Sequence, residues 1–379
     1  MEEKLVFELH KKLEEGVPVS VILDGLRGTR RSINRRSSYD MLLPLSQKFD
    51  HFKASFLKCP KMDARGARWI PERFNEVFGI MHMKACIFDD TLVLTGANLS
   101  SIYFQNRVDR YAVFQNSTPL ADFYAELLDE MSEIGNCVSS SGSMTPTLWK
   151  SNHSHNYRLA VKNKISEFIN KERTDLGTGE LLLPPFGIDQ YHQTILQCLA
   201  NINENQKVLL SAGYFNLIEE YTKALLNSGA RVDLLVASPS ANGFYNASGL
   251  SKHIPSVYSL LERKFMKTIR RAKCDDRIRL YEFDKQGYSF HAKGLWIFDK
   301  DGKPVLSTIG SPNLGYRSAY RDMESQVFLK SDNDEINAAI VEDARRILED
   351  SYVLTEEDLK SRHIPAILKC VTPLIKTML

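Results

Sequence analysis

Two stretches of this chain share one pattern, and the cleaner copy reads Ser289-Phe290-His291-Ala292-Lys293, an apolar run through Trp296, then Gly310-Ser311-Pro312-Asn313. The other copy reads His82-Met83-Lys84, then Ala85-Cys86-Ile87-Phe88-Asp89, then Gly96-Ala97-Asn98. Each puts His and Lys two residues apart at the head of an apolar run. On a strand, positions i and i+2 share a face, so imidazole and ammonium project together. A Gly-containing turn later delivers an Asn amide. The match continues downstream, where Asp109 follows Asn98 by eleven residues and Glu324 follows Asn313 by eleven. Two His, two Lys, two Asn and two carboxylates at matching offsets point to one composite site rather than to chance.

Around these stretches the chain reads as two similar α/β units. Leu5, Val6, Leu9 and Leu13 share one face of a helix over 1–15. Val17 to Leu23 is a buried strand, followed by a turn and a basic loop with Arg27, Arg30, Arg31, Arg35 and Arg36. Met41 to Phe49 reads as helix and Phe52 to Leu57 as strand. The first His/Lys strand, His82–Phe88, pairs by hairpin with Thr91–Thr95. Phe123 to Ile134 is helical. The polar, Ser-rich stretch 137–156 is the expected linker, dividing an N-terminal half, 1–136, from a C-terminal half, 157–379. In the second half, helices over 191–201, 217–226 and 257–273 alternate with strands over 207–213, 231–237 and 278–283, ahead of the second His/Lys strand. The tail from Asp343 reads as helix. The expected class is α/β: two similar halves, each a mixed β-sheet flanked by helices, with the active site at their interface. The first half has no counterpart of the strand 207–213, so a chain lacking its first strand and a targeting segment is the expectation.

Bulk properties narrow the function. The 379 residues carry 49 basic and 47 acidic side chains, a net charge of +2, so no global field selects nucleic acid and any attraction to phosphate must be local. The six cysteines are scattered without a CxxC pair, which argues against zinc ribbons and a disulfide framework and fits a reducing compartment. No apolar run approaches the roughly 18 residues of a spanning helix. Attachment to a membrane would be at its surface.

The doubled residues suit phosphorus chemistry. An imidazole attacks phosphorus well, and a second imidazole protonates the leaving oxygen and then deprotonates the incoming acceptor. Lys84, Lys293, Asn98 and Asn313 would surround the phosphate oxygens. A carboxylate on the far ring nitrogen fixes each tautomer; Asp109 and Glu324 take that part, and sequence does not say which His each serves. There is no HExxH and the carboxylates do not cluster along the sequence, so neither a metal nor another cofactor is expected.

With these residues in view, the chain resembles the phospholipase D superfamily, whose signature HxK(x4)D(x6)GSxN occurs twice per active site. The first copy has Asp89 in place, but Gly96-Ala97-Asn98 stands one residue short; in the second, five residues separate Lys293 from Asp299. Longer strings resemble the eukaryotic mitochondrial phosphatidylglycerophosphate synthase branch. They are Gly96-Ala97-Asn98-Leu99-Ser100 with Asn106-Arg107-Val108-Asp109-Arg110-Tyr111, Phe290 to Trp296, Ile309 to Ser318, and Arg321-Asp322-Met323-Glu324. The resemblance implies transfer of a phosphatidyl group from CDP-diacylglycerol to glycerol 3-phosphate at the matrix side of the mitochondrial inner membrane. It further implies His82 as nucleophile and His291 as acid/base, with Ser311 in the phosphate-binding turn. The acceptor's second phosphate needs its own cations, and Arg27, Arg30, Arg31, Arg107 and Arg317 are the candidates.

Plainer readings stand beside these. Asn98 and Asn313 suit turns in their own right. Asp109 and Glu324 could pair with Arg110 and Arg321. The Arg27–Arg36 run could be a solvated loop or an anionic-headgroup contact. The Trp69–Phe78 stretch and the apolar tail could be core or interfacial, and ordinary helix packing is the expectation for the tail. His153 and His155 fall in the linker with no chemical part. The rival activities are the same transfer to serine (a phosphatidylserine synthase) or water, a nucleic-acid phosphodiesterase, and a catalytically dead membrane scaffold. An anionic membrane surface is the expected partner and nucleic acid is not.

Overall fold

Two α/β units make up the structure, a computed structural model that describes residues 2–31, 36–59, 76–146, 154–171, 181–182, 186–187 and 190–378. In the N-terminal half, α1 (Glu2–Glu14) leads to β1 (Val19–Asp24), then α2 (Ser38–Lys48) and β2 (Phe52–Leu57). Helix α2 starts where Ser37 and Asp40 close a capping box. The hairpin β3 (Ala85–Phe88) and β4 (Thr91–Thr95) turns at Asp89, which holds φ 50. Short β5 (Arg107–Val108) and β6 (Tyr111–Phe114) precede the long helix α3 (Thr118–Ile134). Its Leu120, Phe123, Leu127, Met131 and Ile134 pack on Leu57, Leu92 and Leu94. On the opposite side, Leu13 of α1 with Leu42 and Leu45 of α2 covers Phe52, Ala54 and Phe56.

The stretch expected as a linker is partly sheet. Strands β7 (Asn136–Val138) and β8 (Met144–Pro146) form a hairpin that adds to β2, because Gly142 with φ 77 lets the Ser-rich turn fold tightly. Helix α4 (Ser154–Asn170) follows. Residues 147–153, His153 among them, lie outside the described residues, as do Arg35 and most of the Trp69–Phe78 stretch.

After short β9 (Leu181–Leu182) and β10 (Phe186–Gly187), the C-terminal half runs α5 (Gln190–Ala200), β11 (Lys207–Ser211), α6 (Glu219–Asn227), β12 (Arg231–Ala237), α7 (Ile254–Arg271) and β13 (Ile278–Phe283). It continues with β14 (Ser289–Phe290), β15 (Gly294–Phe298), β16 (Pro304–Gly310), α8 (Tyr316–Tyr320) and β17 (Glu324–Leu329). Then come α9 (Asp334–Leu348), β18 (Ser351–Val353), α10 (Glu356–Ser361) and α11 (Ala366–Ile375). The tail thus contains a strand where only helix was expected; β18 finds the open edge of β13. The main sheet runs β10-β17-β16-β15-β11-β12-β13-β18. It is a mixed sheet with both faces covered: Ile195, Leu199, Tyr221, Leu225 and Phe265 on one side, and Ile340, Ala344 and Ile347 of α9 on the other. Its central strands are apolar on both faces, as such burial requires.

Backbone pairing and one buried cation join the halves. Strand β14 pairs in parallel with β5, and Met81 bridges Met323 in the same sense. Arg110 is buried at 6% exposure. Its guanidinium donates to the carbonyls of Lys293 and Thr308, each at 2.7 Å, pairs with Asp343 at 2.6 Å and lies 3.9 Å from the Trp296 ring centre. Arg110 therefore does not serve Asp109. Arg321 donates to the carbonyls of Val77 and Thr377 rather than pairing with Glu324. Because Arg110→Met keeps an apolar stem yet strands two buried carbonyls and a carboxylate, it is expected to cost about 3 kcal/mol of unfolding free energy. Urea denaturation measures this, and a loss under about 0.5 kcal/mol would show that these contacts carry little.

Candidate active site

Neither His/Lys pair lies within a regular strand. His82–Lys84 precedes β3, and His291–Lys293 crosses between β14 and β15. Each histidine is held instead by the opposite half. The His82 backbone N–H donates to Met323 O at 2.9 Å, and Nδ1 lies 2.9 Å from Glu324 Oε2. The His291 N–H donates to Val108 O at 2.8 Å, and Nδ1 lies 2.6 Å from Asp109 Oδ2. In both cases the accepting carbonyl belongs to the residue just before the paired carboxylate. The pairing that sequence left open is thus crosswise: Asp109 with His291, Glu324 with His82. Occupying Nδ1 this way fixes the tautomer and leaves each Nε2 as the nitrogen available to a substrate.

The lysines complete two similar clusters. Lys293, 2% exposed, places Nζ 2.7 Å from His291 Nδ1 and 3.3 Å from Nε2, and donates to Gly96 O at 3.2 Å. Lys84 Nζ donates to His82 O at 2.6 Å. A side chain at Gly96 would sit 2.8 Å from Asp109 Oδ1 and 3.2 Å from Lys293 Nζ, so the first GxN turn requires glycine for close approach. Ser311 and Ser318 donate to Glu324 at 2.5 and 2.7 Å. Asn98 donates to the Tyr103 hydroxyl at 3.1 Å, and that hydroxyl lies 3.5 Å from His291 Nε2. The Asn313 backbone N–H donates to Ser318 Oγ at 3.0 Å. Asp299 is a turn residue accepting the amides of Asp301 and Lys303.

The candidate arginines separate into groups. Arg27 and Arg30 both pair with Glu76, and Arg317 pairs with Asp322 at 3.0 Å. Arg31 is exposed. Arg107 donates to Ser289 Oγ at 3.0 Å and to the Tyr103 hydroxyl at 3.2 Å, and among the described residues it has no carboxylate within ion-pair distance. Tyr103, Ser318 and Asp322 are site residues that the motif reading missed. Asp322 had a usable signal, standing two residues before Glu324 as Arg107 stands before Asp109.

Burial and neighbouring cations shape the protonation. Burial, then Lys84, pushes His82 well below its ordinary 6.5. Burial, then Lys293, pushes His291 down to about 3. Burial lowers Lys84 to about 7. The two carboxylates diverge. Burial works against ionised Asp109, yet Lys293 and His291 hold it below the usual range, whereas burial raises Glu324 despite Lys84 and the two hydroxyls. His82, Asp322 and Glu324 present ligand atoms within 4.8 Å of one another. Those atoms already receive Ser311, Ser318, Arg317 and the Ile80 N–H, and Lys84 and Arg27 stand close by, so the set suits hydrogen bonding better than a divalent cation. Two neutral imidazoles backed by carboxylates, among cations, can pass a phosphoryl group through a covalent histidine.

An unfolded imidazole protonates near 6.5 and folded His291 only near 3, so between these values the unfolded chain binds more protons. His291 therefore contributes stability above pH 6.5 that is lost as pH falls. The free-energy difference between wild type and His291→Asn should shrink by about 2 kcal/mol from pH 7 to pH 5. Urea denaturation at the two pH values checks it, and a difference independent of pH would contradict the assignment.

No protein-family model matches the chain. Curated relatives do. The chain is 32% identical over 421 residues to the mitochondrial CDP-diacylglycerol–glycerol-3-phosphate 3-phosphatidyltransferase of Gallus gallus, covering 99% of this chain and 75% of that protein. It is equally 32% identical to the enzyme of that name from Homo sapiens, covering 99% and 74%. A probable enzyme of that name from Dictyostelium discoideum is 32% identical over 88% of this chain and 62% of its own. Among solved structures, phosphatidylserine synthase of Haemophilus influenzae superposes with a TM-score of 0.73 at 19% identity, covering 98% of this chain and 85% of that one, which shows a shared fold.

Proposed function

The chain belongs to the family of CDP-diacylglycerol–glycerol-3-phosphate 3-phosphatidyltransferases, and from that premise we propose a two-step transfer through a phosphatidyl-histidine. The enzyme moves the phosphatidyl group of CDP-diacylglycerol to glycerol 3-phosphate, giving phosphatidylglycerophosphate and CMP. In the first step His82 Nε2 attacks the phosphatidyl phosphorus. The bond to the CMP oxygen breaks, and His291 Nε2 gives that oxygen its proton. Glycerol 3-phosphate then binds, His291 takes the proton from its hydroxyl, and the oxygen displaces His82. Lys84, Lys293, Asn98, Asn313 and Ser311 line the path of the phosphate oxygens.

The observation that supports this division of labour is the unequal carboxylates. Asp109 is held ionised beside His291, which favours an imidazolium there. Glu324, with its raised proton affinity, gives His82 less incentive to charge and keeps its ring nucleophilic. Burial keeps both rings neutral in the free enzyme, and the charge of a bound phosphodiester restores the proton that His291 needs as an acid. Arg107, without a carboxylate partner among the described residues, suits the second phosphate of the acceptor better than Arg27, Arg30 or Arg317, whose charges are already met. No helix among the described residues is long and apolar enough to cross a membrane. Peripheral attachment to an anionic surface, at the matrix side of the mitochondrial inner membrane, fits the mitochondrial relatives.

Incubating the enzyme with labelled CDP-diacylglycerol and no acceptor should trap label on His82, mapped by mass spectrometry. Label on His291 would reverse the two roles, and label on neither would remove the covalent step. His82→Ala and His291→Ala should each lower transfer on the order of 10³-fold or more. Arg107→Met should raise KM for glycerol 3-phosphate about tenfold with little change in KM for CDP-diacylglycerol. Parallel assays with serine and with water as acceptors test the rival activities; product from serine faster than from glycerol 3-phosphate would overturn the acceptor.

A further inference from the structure

The repeat departs from itself beside each reactive ring. Five residues after the motif asparagine stands Tyr103 in one copy and Ser318 in the other; nine residues after it stand Arg107 and Asp322. Ser318 donates to Glu324, and Asp322 accepts from Arg317 and the Ile80 N–H. Tyr103 and Arg107 bind each other instead, the guanidinium donating to the hydroxyl at 3.2 Å. The pair stands against His291.

Counting donors and acceptors places the tyrosine hydrogen. Asn98 donates to the Tyr103 hydroxyl at 3.1 Å and Arg107 at 3.2 Å, which fills both lone pairs of that oxygen. Burial raises its proton affinity against the pull of Arg107, so the hydrogen stays on the oxygen. It is left to point at His291 Nε2, 3.5 Å away. That nitrogen can accept it, because Nδ1 holds the ring's own hydrogen toward Asp109. A gap of 3.5 Å admits no water between the two atoms. Lys293 Nζ stands 3.3 Å from the same nitrogen, and the Tyr214 ring meets the imidazole edge-on at 5.6 Å. His291 is accordingly 4% exposed. An oxygen that trades a proton with Nε2 has to take the place the tyrosine hydroxyl now holds.

Arg107 governs how firmly that hydroxyl is held. Its guanidinium lies 4.9 Å from the Tyr103 ring centre and donates to Ser289 Oγ at 3.0 Å; a Cβ on Gly243 would come 2.8 Å from Nη2. A phosphate oxygen is a stronger acceptor than a neutral phenol. A phosphate arriving at Arg107 would draw the guanidinium off the hydroxyl and remove one of the two donors that fix it. Both partners in the proposed transfer bring such a phosphate near the reacting oxygen, that of CMP in the donor and that of glycerol 3-phosphate in the acceptor. Water brings none. Resting on that two-step reading, we propose that Tyr103 is a specificity-determining cap on His291, released when a substrate phosphate takes Arg107. The cap protects the phosphatidyl-histidine from hydrolysis. In that side reaction a water oxygen would bond to phosphorus, the bond to His82 Nε2 would break, one water hydrogen would pass to His291 Nε2, and phosphatidic acid would leave. A phosphorylated alcohol opens the cap with one end and presents its hydroxyl with the other.

The test chases the labelled intermediate, formed from CDP-diacylglycerol and freed of CMP, with water or with glycerol 3-phosphate. In the wild type, inorganic phosphate should speed the loss of label as phosphatidic acid about fivefold over potassium chloride of equal ionic strength. In Tyr103→Phe, the rate with water relative to the rate with glycerol 3-phosphate should rise about tenfold, and inorganic phosphate should add nothing. A merely structural role for Tyr103 would slow both chases alike and leave their ratio where it was. An unchanged ratio in Tyr103→Phe, or a wild type indifferent to phosphate, would overturn the cap while leaving the two-step transfer standing. A protein that forms no labelled intermediate would remove the transfer reading and the cap with it.

Discussion

Each imidazole in this protein is tied to a carboxylate from the other half, and the remaining geometry depends on that exchange. His82 needs Glu324 and His291 needs Asp109, so neither half alone could present a neutral, tautomerically fixed ring. The same exchange aligns the backbone. A histidine N–H binds the carbonyl one residue before the partner carboxylate, so the two segments run in parallel with a fixed register at both places. Arg110 then closes the seam from behind, binding the carbonyls of Lys293 and Thr308 and the Asp343 carboxylate.

Burying six ionisable side chains in one place is expensive unless they are paired. Here the cost falls on protonation rather than on folding. Both histidines stay neutral, and Lys84 drops toward neutrality. Such a site is short of negative charge, and a phosphodiester supplies it. Substrate binding would then return protons to groups that need them for the chemistry, which makes the free enzyme less reactive than the loaded one. The unequal carboxylates distinguish the two histidines although the parts are nearly symmetric.

Much of this was legible in the sequence because the motif repeats. Periodicity located β12 and β13 to the residue and most helices within a few residues, since their apolar faces follow the period of the element. The doubled offset to Asp109 and Glu324 singled out the carboxylates. The strand reading of His82–Lys84 failed because a bound partner segment, not a ladder, holds that backbone extended. The crosswise pairing was not legible, because an offset along one chain carries no information about which copy it meets in space. Tyr103 and Arg110 were missed for a related reason: each acts through a contact made across long sequence separation, at His291 and Lys293. The linker was misjudged in its first part, where a Ser-rich composition concealed a tight hairpin that extends a sheet.

Duplication also makes the irregularities informative. In a repeated fold, a feature in one copy sets the expectation for the other, so a departure calls for a local physical reason. Asp322 where the other half has Arg107 is one departure, and it puts an acid beside His82 that binds the Ile80 N–H and Arg317. Around His82 the arginines are neutralised, while around His291 Arg107 keeps its charge available. A substrate bearing one phosphate at the reacting centre and a second on the acceptor needs such an imbalance, since equal cations on both sides would bind the acceptor in either orientation. The symmetry offers two equivalent routes to the phosphorus, and under the proposed roles these departures distinguish them.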